Sequence, residues 1–161
     1  MTIIRLPSWE EMLAPGMPWA LLLRSGSTGA WLLLGTAEDV EGLDARIVAG
    51  TACTTSVDAL VEWSIALELG EQRATQWGEF ATTVGEGEWF ETAACGVLVS
   101  DAHRLLEREP ERLTTLLESL ALAARRLERE GRALRVVFQS RFDSAPEQLA
   151  VFREFAVAEI A

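Results

Sequence analysis

Few side chains in this sequence combine reactivity with the spacing that chemistry needs. His103 is the only histidine, and Asp101 lies two residues before it. A metal site or acid–base dyad would need further ligands converging, and the chain has no HxxxH, HExxH or Cys/His cluster. A local surface or capping role is therefore expected for this pair. Cys53 and Cys95 lie far apart without CxxC spacing, which suits buried reduced thiols better than a disulfide frame or a zinc site. No serine sits in a GxSxG elbow, and all 14 basic residues are arginine, so no Ser-Lys arrangement exists. The glycines between Gly26 and Gly35 form neither a GxGxxG nor a GxxxxGK loop. Glu86 and Glu88 could in principle do glycosidase-type work, but two glutamates in one loop are common. No catalytic residue, cofactor or metal is expected.

The chemistry left is recognition. Carboxylates on an exposed loop or helix can engage a cationic partner, and amides and hydroxyls there can supply hydrogen bonds. The same residue types also occur at loops and helix starts for local backbone reasons.

Bulk composition narrows the partner. Among 161 residues, 25 acidic against 14 basic side chains give a formal charge of −11, a field that repels phosphate backbones and anionic lipid. Nucleic acid and membrane are not expected ligands, whereas a protein with a basic cleft would be attracted. The N-terminus, Met1-Thr2-Ile3-Ile4-Arg5-Leu6-Pro7, has no leader-like apolar stretch, and no apolar run reaches the roughly 18 residues of a bilayer span. A cytoplasmic protein is the expectation. The 49% hydrophobic content suffices for one sizeable core.

The elements that must position these residues follow from pattern. Two apolar runs, Trp19–Leu23 and Ala30–Leu34, flank Ser25-Gly26-Ser27-Thr28-Gly29 and suggest a β-hairpin. Short apolar strands are expected at 45–49, 96–100 and 134–138. Thr55 or Ser56 can cap a helix to about Leu69 with Val57, Leu60, Val61 and Leu67 buried and Gly70 as its left-handed end. Thr75 can cap a second helix from Gln76 to Val84 with Trp77, Phe80 and Val84 on one face. Asp101 can cap a single turn to Leu106, and Pro110 starts a long helix ending at Gly131, with Leu113, Leu116, Leu117, Leu120, Ala124 and Leu127 buried. Ser144 and Glu147 form a capping-box signature ahead of an apolar run, which predicts a C-terminal helix to about Ile160. Trp63, Trp77 and Trp89 are expected in the core; for Trp9 and Trp19 the pattern leaves core and contact surface both open.

The resulting β-α-α-β-α-β order, with Val97-Leu98-Val99-Ser100-Asp101-Ala102-His103-Arg104-Leu105-Leu106, then Glu109-Pro110-Glu111, then a Leu-rich helix and Gly131-Arg132-Ala133-Leu134-Arg135-Val136-Val137-Phe138-Gln139, resembles the barstar family of ribonuclease inhibitors over roughly residues 45–139. The resemblance implies an α/β fold built on a small three-stranded parallel sheet covered by helices. The expected organisation is an N-terminal hairpin extension (1–44), a barstar-like domain (45–140) and a packed C-terminal helix (141–161).

It also implies a non-catalytic inhibitor or immunity protein, monomeric or in a 1:1 heterodimer with a cognate toxin of the ribonuclease type, which it blocks with the loop and helix around 71–86. A barstar-fold adaptor with a non-nuclease partner is the alternative. The family's binding segment, Tyr-Phe/Tyr-Gly-x-Asn-x-Asp-Ala-Leu, falls on residues 72–80, where this chain departs from it. The aromatic pair is Gln72-Arg73, the glycine is Ala74, the asparagine is Gln76, and the two acidic positions are Gly78 and Thr82. The partner-binding set implied is Glu71, Gln72, Arg73, Thr75, Gln76, Glu79, Thr82, Thr83 and Glu86.

Overall fold

The computed structural model describes residues 2–3, 7–70, 75–141 and 156–159. Six strands form one wholly parallel sheet: β1 (Thr2–Ile3), β2 (Ala20–Arg24), β3 (Leu43–Ala49), β4 (Ala94–Ser100), β5 (Ala133–Ser140) and β6 (Ala156–Glu159), in the spatial order β1-β6-β2-β5-β4-β3. The expectation of three strands is corrected to six among the described residues. Five α-helices accompany them among the described residues: α1 (Trp9–Leu13), α2 (Ser27–Thr36), α3 (Ser56–Ala66), α4 (Trp77–Glu86) and α5 (Leu113–Arg129).

Parallel neighbours cannot be joined by tight turns, so each strand needs a crossover, and helices end up on both faces of the sheet. One face carries α3, α4 and α5. Leu60, Trp63, Phe80, Val84, Leu116, Leu120 and Leu127 pack there on Leu22, Val48, Val97, Val99, Val136 and Phe138. The other face carries α1 and α2, whose Trp9, Met12, Ala30 and Leu33 pack on Leu21, Leu23, Leu98 and Val137. Alternate residues of β4 and β5 thus serve opposite cores, as the two-residue period of a strand requires.

The expected hairpin at 19–34 is overturned. Its first arm is β2, but its second lies in α2, where Ala30, Leu33 and Ala37 are buried at helical spacing while Trp31 and Leu32 are 62% and 60% exposed. The run Ala30–Leu34 is apolar all round, so periodicity could not separate strand from helix. A parallel sheet settles it, because β2 must cross over before β3. The C-terminal helix expected to about Ile160 is also corrected: Ala156–Glu159 is a strand between β1 and β2, and Ser144 and Glu147 lie outside the described residues.

The helix starting at Ser56 is present, with the Thr55 hydroxyl accepting from the Asp58 N–H at 3.2 Å. Its buried stripe differs from expectation. Ala59, Leu60, Trp63, Ser64 and Leu67 face inward, whereas Val57 and Val61 are exposed. Both sets fit a helical period, and the large apolar area of Trp63 decides between them. This helix ends at Ala66, earlier than expected, and Gly70 takes its left-handed conformation (φ 62°) beyond it. Residues Pro110–Arg112 form a 3-10 turn ahead of α5, and all six leucine and alanine positions expected in the α5 stripe are buried.

Two buried groups tie distant elements. Arg135 donates from Nε to the Met12 carbonyl at 2.8 Å, holding the end of α1, and its burial lowers its pKa. Cys53 and Cys95 are free and fully buried. Burial pushes both thiols up to about 12, with Glu62 and Asp58 adding to the effect at Cys53 and Asp44 at Cys95. A thiol pKa raised above its ordinary value of 9.0 stabilises the fold fully below about pH 9, and that contribution is lost as pH climbs toward 12. Denaturation midpoints should fall across that window. At pH 8 neither thiol should react with an aromatic disulfide reagent until the chain unfolds; rapid native-state labelling would contradict the assigned burial.

Candidate partner-binding face

Helix α4 carries Glu79, Thr82, Thr83 and Glu86 of the nine residues that the resemblance implies for recognition, and Thr75 and Gln76 directly precede it. Its inner side is fixed by aromatic packing: Phe80 is fully buried, with Trp63 edge-on at 6.0 Å and Trp77 edge-on at 5.7 Å between ring centres. Val84 is buried one turn on. With that side anchored, Thr75, Gln76, Glu79 and Thr82 are exposed, and Thr83 and Glu86 are half-buried. Glu71, Gln72 and Arg73 lie outside the described residues.

The start of α4 differs from the expected cap. Gln76 is the N-cap residue and makes no side-chain cap bond, while the Thr75 hydroxyl donates to Glu79 Oε1 at 3.2 Å. This bond pre-orients the Glu79 carboxylate in the first turn, where the helix dipole favours an anion.

The end of α4 is held by three devices. Gly87 takes a left-handed φ of 69°, Trp89 Nε1 donates to the Val84 carbonyl at 3.0 Å, and Arg132 reaches across from the foot of β5. The Arg132 guanidinium donates to the carbonyls of Gly87 (2.7 Å), Phe90 (2.6 Å) and Thr92 (3.1 Å) and stacks 3.8 Å from the centre of the Phe90 ring. Arg132→Met keeps the apolar stem and leaves those carbonyls without their donor. A loss of about 2 kcal/mol or more is expected in urea denaturation, together with faster amide exchange over residues 84–92. A change below about 0.5 kcal/mol would show that the loop holds itself.

In chemical terms the outer face of α4 offers carboxylate, amide and hydroxyl groups on a rigid base and no nucleophile. It can accept hydrogen bonds from arginine, lysine or histidine of a docked protein. The remaining sequence candidates do not converge. Asp101 occupies the cap position of the turn Ala102–Arg104 but its side chain makes no cap bond; its backbone is left-handed (φ 46°). His103 is half-buried, and among the described residues its Nδ1 has no hydrogen-bond partner. Among the described residues no group of three or more His, Cys, Asp or Glu side chains is placed to hold a metal ion, and no helix is long and apolar enough to cross a membrane. Compared with known protein families and with curated proteins, the sequence matches none.

Proposed function

We propose that this chain is a non-catalytic, barstar-like inhibitor or immunity protein that binds a cognate ribonuclease-type toxin one to one in the cytoplasm and covers its active site with the outer face of α4 and the segment before it. The observation that carries the reading is the division of α4: Phe80 and Val84 are locked into the core, while Gln76, Glu79 and Thr82 stand exposed beside them. A rigid exposed carboxylate is what a phosphate-binding cleft would engage in place of its substrate. The net charge of −11 supplies attraction toward a basic enzyme. The adjacent parallel strands β3, β4 and β5, with α3 and α4 in the first crossover and α5 in the second, agree with the β-α-α-β-α-β order of the resemblance.

The test uses the protein encoded beside this one, since an immunity gene normally neighbours its toxin. The wild-type chain is expected to form a 1:1 complex with it, and Gln76→Arg and Glu79→Arg are each expected to weaken that complex at least tenfold, an effect of about 1.4 kcal/mol. Gln76 is exposed and makes no cap bond, so Gln76→Arg should change folding stability by no more than about 0.5 kcal/mol, while Glu79→Arg gives up the dipole contact and the Thr75 bond and should cost about 1 kcal/mol, leaving both variants folded. Undiminished affinity in both variants would remove α4 as the contact face.

A further inference from the structure

The face of the sheet opposite α4 has an indentation of its own. Between α2 and the carboxyl ends of β3, β4 and β5 is a cavity of about 170 Å³ lined by Trp31, Ile47, Leu98, Ser100, Asp101 and Gln139. Crevices beyond the carboxyl ends of parallel strands are the usual ligand sites of such sheets, and about 150 Å³ accommodates a benzene-sized group.

Its polar wall is built rather than incidental. Gln139 is buried within β5; its Nε2 donates to the Ser25 carbonyl at 2.7 Å and its Oε1 accepts the Asp101 N–H at 2.9 Å. The Asp101 carbonyl accepts from the Arg104 N–H at 2.9 Å. Gly50 presses on the same segment so closely that a Cβ there would lie 2.4 Å from the carbonyl oxygens of both Ser100 and Asp101. These contacts hold Asp101 in a left-handed conformation, and residues held this way gather at functional sites. Among the described residues, neither the Asp101 carboxylate nor the Ser100 hydroxyl makes a hydrogen bond or ion pair. The nearby Arg104 is engaged by Glu107 at 2.7 Å instead. The other wall is apolar and open, with Trp31 62% and Ile47 40% exposed.

We propose that this cavity binds a guanidinium cation on a short apolar stem, with Asp101 as the counter-ion, Ser100 accepting a further N–H and the Trp31 indole as the stacking surface. A carboxylate with no hydrogen bond or ion pair among the described residues, which acts on Arg104 only as a weaker charge beside Glu107, is left to select a cation. An exposed indole beside it favours the planar, weakly hydrated guanidinium over ammonium, and the net charge of −11 disfavours anions. The inference does not depend on the role proposed for α4.

The test is an amide and indole NMR titration of the full chain at low salt with two probes, ethylguanidinium and a peptide holding a single arginine. Saturable shifts are expected at the Trp31 indole N–H and the Ser100 and Asp101 amides, absent when citrulline replaces the arginine. Asp101→Asn, which tolerates the left-handed backbone, and Trp31→Ala, at an exposed position, should each weaken binding at least tenfold. Tighter binding of the peptide than of ethylguanidinium supports the site with a partner protein's arginine as occupant, and comparable binding supports it with a free small cation. Absence of saturable shifts with both probes, or equal affinity of Asp101→Asn and wild type, overturns it.

Discussion

Replacing Trp9 by alanine is expected to cost about 3–5 kcal/mol of folding stability, a large share of the roughly 5–15 kcal/mol that holds a typical domain together. Trp9 is 1% exposed and joins three elements of one face. It belongs to α1, its Nε1 donates to the Leu33 carbonyl of α2 at 2.9 Å, and its ring lies so close over Gly96 of β4 that a Cβ there would sit 2.5 Å from Cζ3. Alanine leaves a cavity that Gly96 cannot fill and removes one of two side-chain donors to the Leu33 carbonyl, the other being the Thr36 hydroxyl at 2.8 Å. Trp31→Ala, on the outer side of the same helix, is the internal control and should change stability by no more than about 0.5 kcal/mol. Urea denaturation of the two variants side by side reads the difference. Similar midpoints for both would mean that α1 is not part of the folded core.

The second large effect is expected at Gly50, which follows β3 and lies against the end of β4. The two atoms a Cβ would strike at 2.4 Å are backbone carbonyl oxygens, and backbone cannot swing aside as a long side chain can. Overpacking of this kind costs about 1–3 kcal/mol and sometimes more, and Gly50→Ala belongs at the upper end. For a chain of this size that corresponds to a melting temperature lower by roughly 6–12 °C. Since the displaced carbonyls belong to Ser100 and Asp101, the same variant should lose guanidinium binding. A melting temperature within about 2 °C of wild type would show that the β3 and β4 ends separate freely.

The parts of this fold that sequence reveals are those where one physical pattern dominates. Strands β3, β4 and β5 are crossover-linked runs of mostly apolar residues, and α5 shows an unbroken 3.6-residue stripe from Leu113 to Leu127; both are readable without coordinates. Helix α2 is not, because Trp31, Leu32, Leu33 and Leu34 remove the polar face that would betray its period, and only the parallel direction of β2 and β3 within one sheet, which calls for a crossover between them, fixes its form. The start of α1 was legible by the same signature applied at Ser144: Ser8 and Glu11 bond reciprocally as a capping box, the Ser8 hydroxyl accepting the Glu11 N–H at 3.1 Å. Its five residues are too few for hydrophobic period to flag it.

The two proposed sites differ in the same way. The outer face of α4 is visible in sequence because its polar and apolar residues alternate at helical spacing within ten positions. The cavity beneath α2 is not, because Trp31, Ile47, Ser100 and Gln139 are far apart in the chain and meet only through strand order. Gln139 reads as an ordinary polar residue at the end of a strand, and its two hydrogen bonds to Asp101 and Ser25 give it a structural meaning that no local pattern carries.

The central claim is that α4 docks into a nuclease and stops it. It is tested most directly by purifying the product of the neighbouring gene, following its cleavage of RNA and titrating it with the full chain. The account predicts a linear fall to no activity at one equivalent, with Gln76→Arg and Glu79→Arg needing a large excess. Cleavage that continues unchanged at several equivalents of the wild-type chain would contradict it.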